Sequence, residues 1–83
     1  MSYEKVKQAK HLSIGLKQTL KAIEQNLAQE IIIAKDADKR LTSKVIQFGA
    51  EKNLIVTYVD SMKQLGKASG IEVGAAAVAI LKD

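Results

Sequence analysis

The chain has 83 residues, a length for one domain. Hydrophobic residues make up 47% and charged residues 27%, too much apolar content for a disordered chain. There is no cysteine and one histidine, His11, which excludes a disulfide framework, a thiolate metal site and a multi-histidine site; no metal or cofactor is expected. The net charge of +4 is nearly all lysine, and the surplus concentrates before Gln25, where Lys5, Lys7, Lys10, Lys17 and Lys21 face only Glu4 and Glu24. A local lysine surplus is a weak pointer to a polyanionic partner. No basic-then-apolar leader is visible, and the longest apolar run, Gly74 to Leu81, is far short of the ~20 residues that cross a membrane. A soluble, cytoplasmic, monomeric domain is expected.

The N-terminal segment reads as a helix, with Ser2 as its cap, Glu4 in its first turn and Tyr3, Val6 and Ala9 on one side. Leu12 to Gly15 is a short link, with a short strand near Leu12. A second helix follows, in which Leu16, Leu20, Ile23 and Leu27 recur at helical spacing and should face the core. Glu30 to Ala34 is a β-branched run suited to a strand covered on both faces. Lys35 to Lys39 is a polar turn. Leu41, Val45 and Phe48 define a third helix ending near Asn53, and Leu54 to Val59 a second buried strand. Ser61 opens a fourth helix, with Gln64 at capping-box spacing, and Gly70 should close it in a left-handed conformation. Ala75 to Leu81 is the last strand. Helices alternating with buried strands predict an α/β fold, a mixed sheet of about four strands with helices on both faces. Ligands of such sheets gather outside the strand ends. Here that end comprises the start of the second helix, the turn after Ala34 and the loop after the fourth helix.

Three segments there carry chemistry. In Gly15-Leu16-Lys17-Gln18-Thr19-Leu20-Lys21-Ala22, lysines four apart share a face at a helix start. Helix N-termini favour acids, and like charges at this spacing repel by ~0.2–0.5 kcal/mol, so a docked anion turns both penalties into attraction. A solvated lysine face explains the same residues. In Leu65-Gly66-Lys67-Ala68-Ser69-Gly70-Ile71-Glu72-Val73-Gly74, a loop reading exposes Ile71 and Val73 for packing against an unstacked base. A helix cap followed by strand entry buries them instead. In Lys35-Asp36-Ala37-Asp38-Lys39 the two carboxylates lack the ligand count of a calcium loop, and a turn with a helix cap suffices. His11, Asp60 and Ser61 are triad residue types without a nucleophile elbow, and no enzyme is expected. Aromatic residues are too few for a platform that stacks single-stranded bases.

These three blocks, in this order and over about Val6 to Ile80, resemble the kink-turn-binding ribosomal protein family (L7Ae type). The Gly-x-Lys-Gln-Thr variant and the short chain are similar to its bacterial branch. The resemblance implies a three-layer α-β-α sandwich and a structured RNA partner, whether ribosomal RNA within the ribosome, a riboswitch or another ribonucleoprotein RNA. Kink-turns are duplexes bent sharply at a three-nucleotide bulge beside tandem sheared G·A pairs. Ordinary A-form RNA hides its major groove, whereas the bend opens guanine O6 and N7 to a lysine and base edges to an amide. By resemblance, Lys17, Gln18 and Lys21 occupy the reading positions, with Gly15 allowing close approach and Thr19 near the backbone. Ile71, Glu72 and Val73 match the segment over the bulged nucleotides, and Asp38 an acidic position near an extruded base. Other family branches carry Asn-Glu at Lys17-Gln18 and proline at Lys39. The competing reading is a protein-interaction module using the same apolar loop.

Overall fold

The computed structural model describes residues 2–83, Ser2 by its backbone alone, so the expected Ser2 cap lies outside the described side chains. The elements alternate as α1 (Ser2–Gln8), β1 (Leu12–Ile14), α2 (Leu16–Glu24), β2 (Ala28–Ala34), α3 (Lys39–Glu51), β3 (Ile55–Val59), α4 (Met62–Ala68) and β4 (Ala77–Leu81). The strands form one mixed sheet in the order β1-β4-β2-β3. β2 and β3 run parallel, while β4 is antiparallel to both β1 and β2. The four-stranded α/β sandwich expected from the sequence is therefore present.

Side chains alternate across the sheet, and the two central strands show it. Ile32 and Val78 join Val6 of α1 and Leu65 of α4 on one face. Ile31, Ile33, Ala77 and Ala79 join Ala22 and Ile23 of α2 and Val45 of α3 on the other. Each buried aliphatic side chain of this size contributes roughly 1.5–3 kcal/mol through removal from water, so the two sheets of contacts on β2 and β4 form the stabilising centre. One charged group intrudes. Glu30 of β2 is buried under α1, where its carboxylate accepts from Thr57 Oγ1 at 2.7 Å and pairs with Lys5 Nζ at 3.3 Å. These partners are what make a carboxylate tolerable beneath a helix.

Three helices end in the same way. Asn26, Asn53 and Gly70 have φ of 60°, 60° and 86°. The amide of the next residue reaches back to a helix carbonyl: Leu27 to Ala22 at 2.9 Å, Leu54 to Gly49 at 2.9 Å and Ile71 to Gly66 at 3.0 Å. This six-to-one bond satisfies a carbonyl that the helix end leaves free. The left-handed Gly70 and an end of α3 near Asn53 were anticipated; the left-handed conformation of Asn26 and Asn53 was not.

Three sequence expectations require correction. Leu27 lies beyond α2, after the left-handed Asn26, and is 48% exposed rather than core. Leu41 sits in the first turn of α3 and is also exposed, the buried side of that helix being Thr42, Val45 and Gly49. β3 is not a buried strand. It is an edge paired only to β2, and Ile55 and Tyr58 stand in solvent.

Candidate nucleic-acid interface

A row of backbone hydrogen bonds ties together the segments at one end of the sheet. The Gly15 amide donates to Ala77 O at 2.8 Å, Ala34 N to Ala76 O at 3.0 Å, and Lys35 N to Val59 O at 2.7 Å. Residues 71–76 run straight into β4. The start of α2, the loop after α4 and the turn after β2 are thereby neighbours on one end of the molecule.

Gly15 is the N-cap residue of α2, with φ 102° and ψ 162°, a conformation that side chains rarely adopt. It offers no capping side chain, and the first turn of α2 contains no acid. The helix therefore begins with uncapped N–H groups and their partial positive charge. Lys17, Gln18 and Lys21 lie along its exposed stripe. Neither lysine forms an ion pair among the described residues. Thr19 is on the opposite side, fully buried, and its hydroxyl has no hydrogen-bond partner.

The second part is the lip formed by Ile71, Glu72 and Val73. Ile71 is half-buried against the core beneath α1 and α4, which anchors the lip. Glu72 is exposed, and Val73 is 71% exposed, more than any other large apolar side chain among the described residues. The lip also rests on α4. A β-carbon at Gly66 would overlap the Val73 carbonyl, and Gly74 packs against the backbone of Met62. The Ala75 amide donates to Met62 O at 3.0 Å. Sequence reasoning named Gly66 without seeing this role. The available signal was a glycine inside a helix, which costs about 1 kcal/mol against alanine and so implies a packing reason.

The turn after β2 has structural duties. Asp36 accepts from the Met62 amide at 2.8 Å, linking the turn to the start of α4. Asp38 caps α3, its carboxylate accepting from Arg40 N at 2.9 Å and from Arg40 Nη2 at 2.9 Å. The Arg40 side-chain hydrogen bond, then its amide, holds the Asp38 carboxyl below its ordinary range. Asp60 is likewise lowered, chiefly by the Tyr3 hydroxyl that donates to it. That hydroxyl also accepts from the Ser61 amide at 3.2 Å, and Ser61 Oγ accepts from Gln64 N at 3.1 Å. His11 lies at the far end of the sheet, its carbonyl accepting from Leu81 N. The three triad residue types are not brought together.

The model for the family described as Ribosomal protein L7Ae/L30e/S12e/Gadd45 matches residues 2–83. The chain belongs to that family. Among its L7Ae-family relatives, an RNA-binding protein of Halalkalibacterium halodurans is 58% identical over 82 residues, covering 99% of this chain and 100% of that one. The RNA-binding protein YbxF of Geobacillus stearothermophilus is 56% identical over 82 residues, with the same coverage. Among solved structures, the 15.5 kD RNA-binding protein of Giardia lamblia superposes with a TM-score of 0.89 at 25% identity, over 99% of this chain and 72% of that one.

Proposed function

We propose that this protein binds RNA and that it recognises a kink-turn, holding the bent form. The observation that carries the reading is the Gly15–Ala77 hydrogen bond, which joins an uncapped, lysine-bearing helix start to the exposed lip in one surface. Lys17 and Lys21 donate to guanine O6 and N7, Gln18 pairs with a base edge, and Gly15 admits the backbone closely. Val73, with Ile71 behind it, covers unstacked bulge nucleotides, and Glu72 borders them. Asp38 holds the adjoining turn near an extruded base. Free RNA exchanges between extended and bent states, and a protein that binds only the bent one shifts the population toward it. The relatives named as RNA-binding proteins support the partner class; the surface described above supports the kinked form.

The test is a titration with a kink-turn RNA and a straight duplex of equal length and charge. The kinked RNA is expected to bind at least about a hundredfold tighter, since each well-placed base contact discriminates by roughly 1–3 kcal/mol. Lys21→Ala should lose about tenfold or more, whereas Lys82→Ala, remote from the site, should bind as the parent does. Equal binding of the two RNAs refutes the reading and favours a protein partner for the lip.

A further inference from the structure

The face opposite α2 carries lysines that the proposed base-reading surface does not use. α1 and α4 pack side by side on the sheet, and their seam is a groove of about 320 Å³ lined by Tyr3, Lys7, Gln64, Lys67 and Ala68. α4 contains no acidic residue. Its exposed side is Lys63, Gln64 and Lys67, with the two lysines four apart and so mutually repelling. None of Lys7, Lys63 and Lys67 forms an ion pair among the described residues. The one aromatic residue of the groove, Tyr3, has its hydroxyl engaged by Asp60 and Ser61. The groove therefore offers cationic and amide donors without an acidic group from α4, which suits phosphates.

Its position supplies the second argument. α4 runs directly into the lip, and Lys67 follows Gly66, the residue on which the Val73 carbonyl rests. α2 and α4 lie on opposite faces of the sheet, so the lip stands between two lysine-bearing helices. A sharply bent duplex sends two stems away from its bulge.

We propose that Lys7, Lys63 and Lys67 form a second RNA contact, which holds the phosphate backbone of the stem leaving the kink on the side away from α2. This rests on the reading of RNA recognition above. The contact is electrostatic and blind to sequence, because lysine meets phosphate as a point charge. It adds affinity and fixes the direction of one stem, while selection of the kink stays with α2 and the lip.

The experiment measures binding of the parent and of Lys63→Gln/Lys67→Gln against kink-turn RNAs with either stem shortened in turn, across a salt series. Both lysines are exposed, so an unchanged unfolding midpoint is the control for folding. On full-length RNA the variant should lose roughly three- to tenfold, and its salt slope should fall by about 0.7–0.9 per phosphate contact removed. Shortening one stem should weaken the parent and abolish its advantage over the variant; shortening the other should preserve that advantage. Lys7→Gln should follow the same pattern. Unchanged affinity and slope in the variant, with the parent still preferring kinked RNA, overturns this inference alone. An advantage that survives removal of either stem also overturns it. A parent with no preference for kinked RNA overturns the functional reading itself.

Discussion

Gly66 lies directly beneath the carbonyl of Val73, so close that a methyl group there would occupy the carbonyl's place. A helix interior and an exposed loop are thus packed through one missing side chain. Two effects of Gly66→Ala oppose each other. Alanine favours the helix by about 1 kcal/mol. Overpacking against fixed atoms costs about 1–3 kcal/mol, and the obstacle here is backbone, which cannot rotate aside. The second effect should win. Gly66→Ala is expected to lower the denaturant midpoint and to weaken kink-turn binding by displacing the lip. A more stable variant with parental affinity would show that the lip is free to move.

Thr19 gives the reverse expectation. Its hydroxyl is buried without a partner, in a helix whose neighbouring residues meet solvent. An unsatisfied buried hydroxyl costs roughly 1–3 kcal/mol. Thr19→Val keeps the volume and removes the penalty. It should raise the unfolding free energy by about 1 kcal/mol and leave RNA affinity unchanged. Weaker RNA binding with unchanged stability would mean that the hydroxyl turns outward to meet the RNA.

The two lowered carboxylates define an acid limb. A group whose folded pKa is depressed contributes stability that is fully present above its unfolded pKa, about 3.9 for aspartate, and lost as pH falls through the folded value. Asp38 and Asp60 are both of this kind, through Arg40 and Tyr3 respectively. Both are solvent-exposed, so each effect is modest. The contribution of these groups to the thermal midpoint should be constant with pH near neutrality and decline below about pH 4. Asp38→Asn and Asp60→Asn should each lower the midpoint at pH 7 and converge on the parent in acid. A constant difference across the pH range would assign the loss to geometry instead of charge.

Local chemistry explains which features could be read from the chain. Ser61 and Gln64 announced a helix start by their spacing, and the Ser61 oxygen does accept from the Gln64 amide. Gly70 announced a left-handed helix end. The run Ile31-Ile32-Ile33 announced a strand covered on both sides, because no polar face could survive there. Leu54 to Val59 looked the same and is an edge. An apolar run records what lies above and below a strand, not whether a neighbour lies beside it, and Tyr58 and Ile55 are left exposed. Leu41 and Leu27 misled because helical spacing holds only within the helix interior; Leu41 sits in the first turn of α3, and Leu27 lies past the end of α2. The burial of Thr19, Thr42 and Gly49 was invisible for the opposite reason, since small polar or side-chain-free residues carry no hydrophobic signal. At the candidate site, the α2 lysines and the lip were legible by pattern and resemblance. Their adjacency was expected from the rule that ligands of such sheets gather outside the strand ends; the contacts that produce it, β4 returning between β1 and β2 and Gly15 meeting Ala77, were not legible.

The central claim is that the α2 start and the lip act together on bent RNA. The most direct measurement is fluorescence transfer between dyes on the two stem ends of a kink-turn RNA, titrated with protein without divalent ions. Stoichiometric protein should carry the RNA from low to high transfer, and Lys21→Ala and Val73→Ala should each demand at least several-fold more protein for the same endpoint. RNA that is bound at stoichiometric protein yet stays in the low-transfer, extended state would contradict the account.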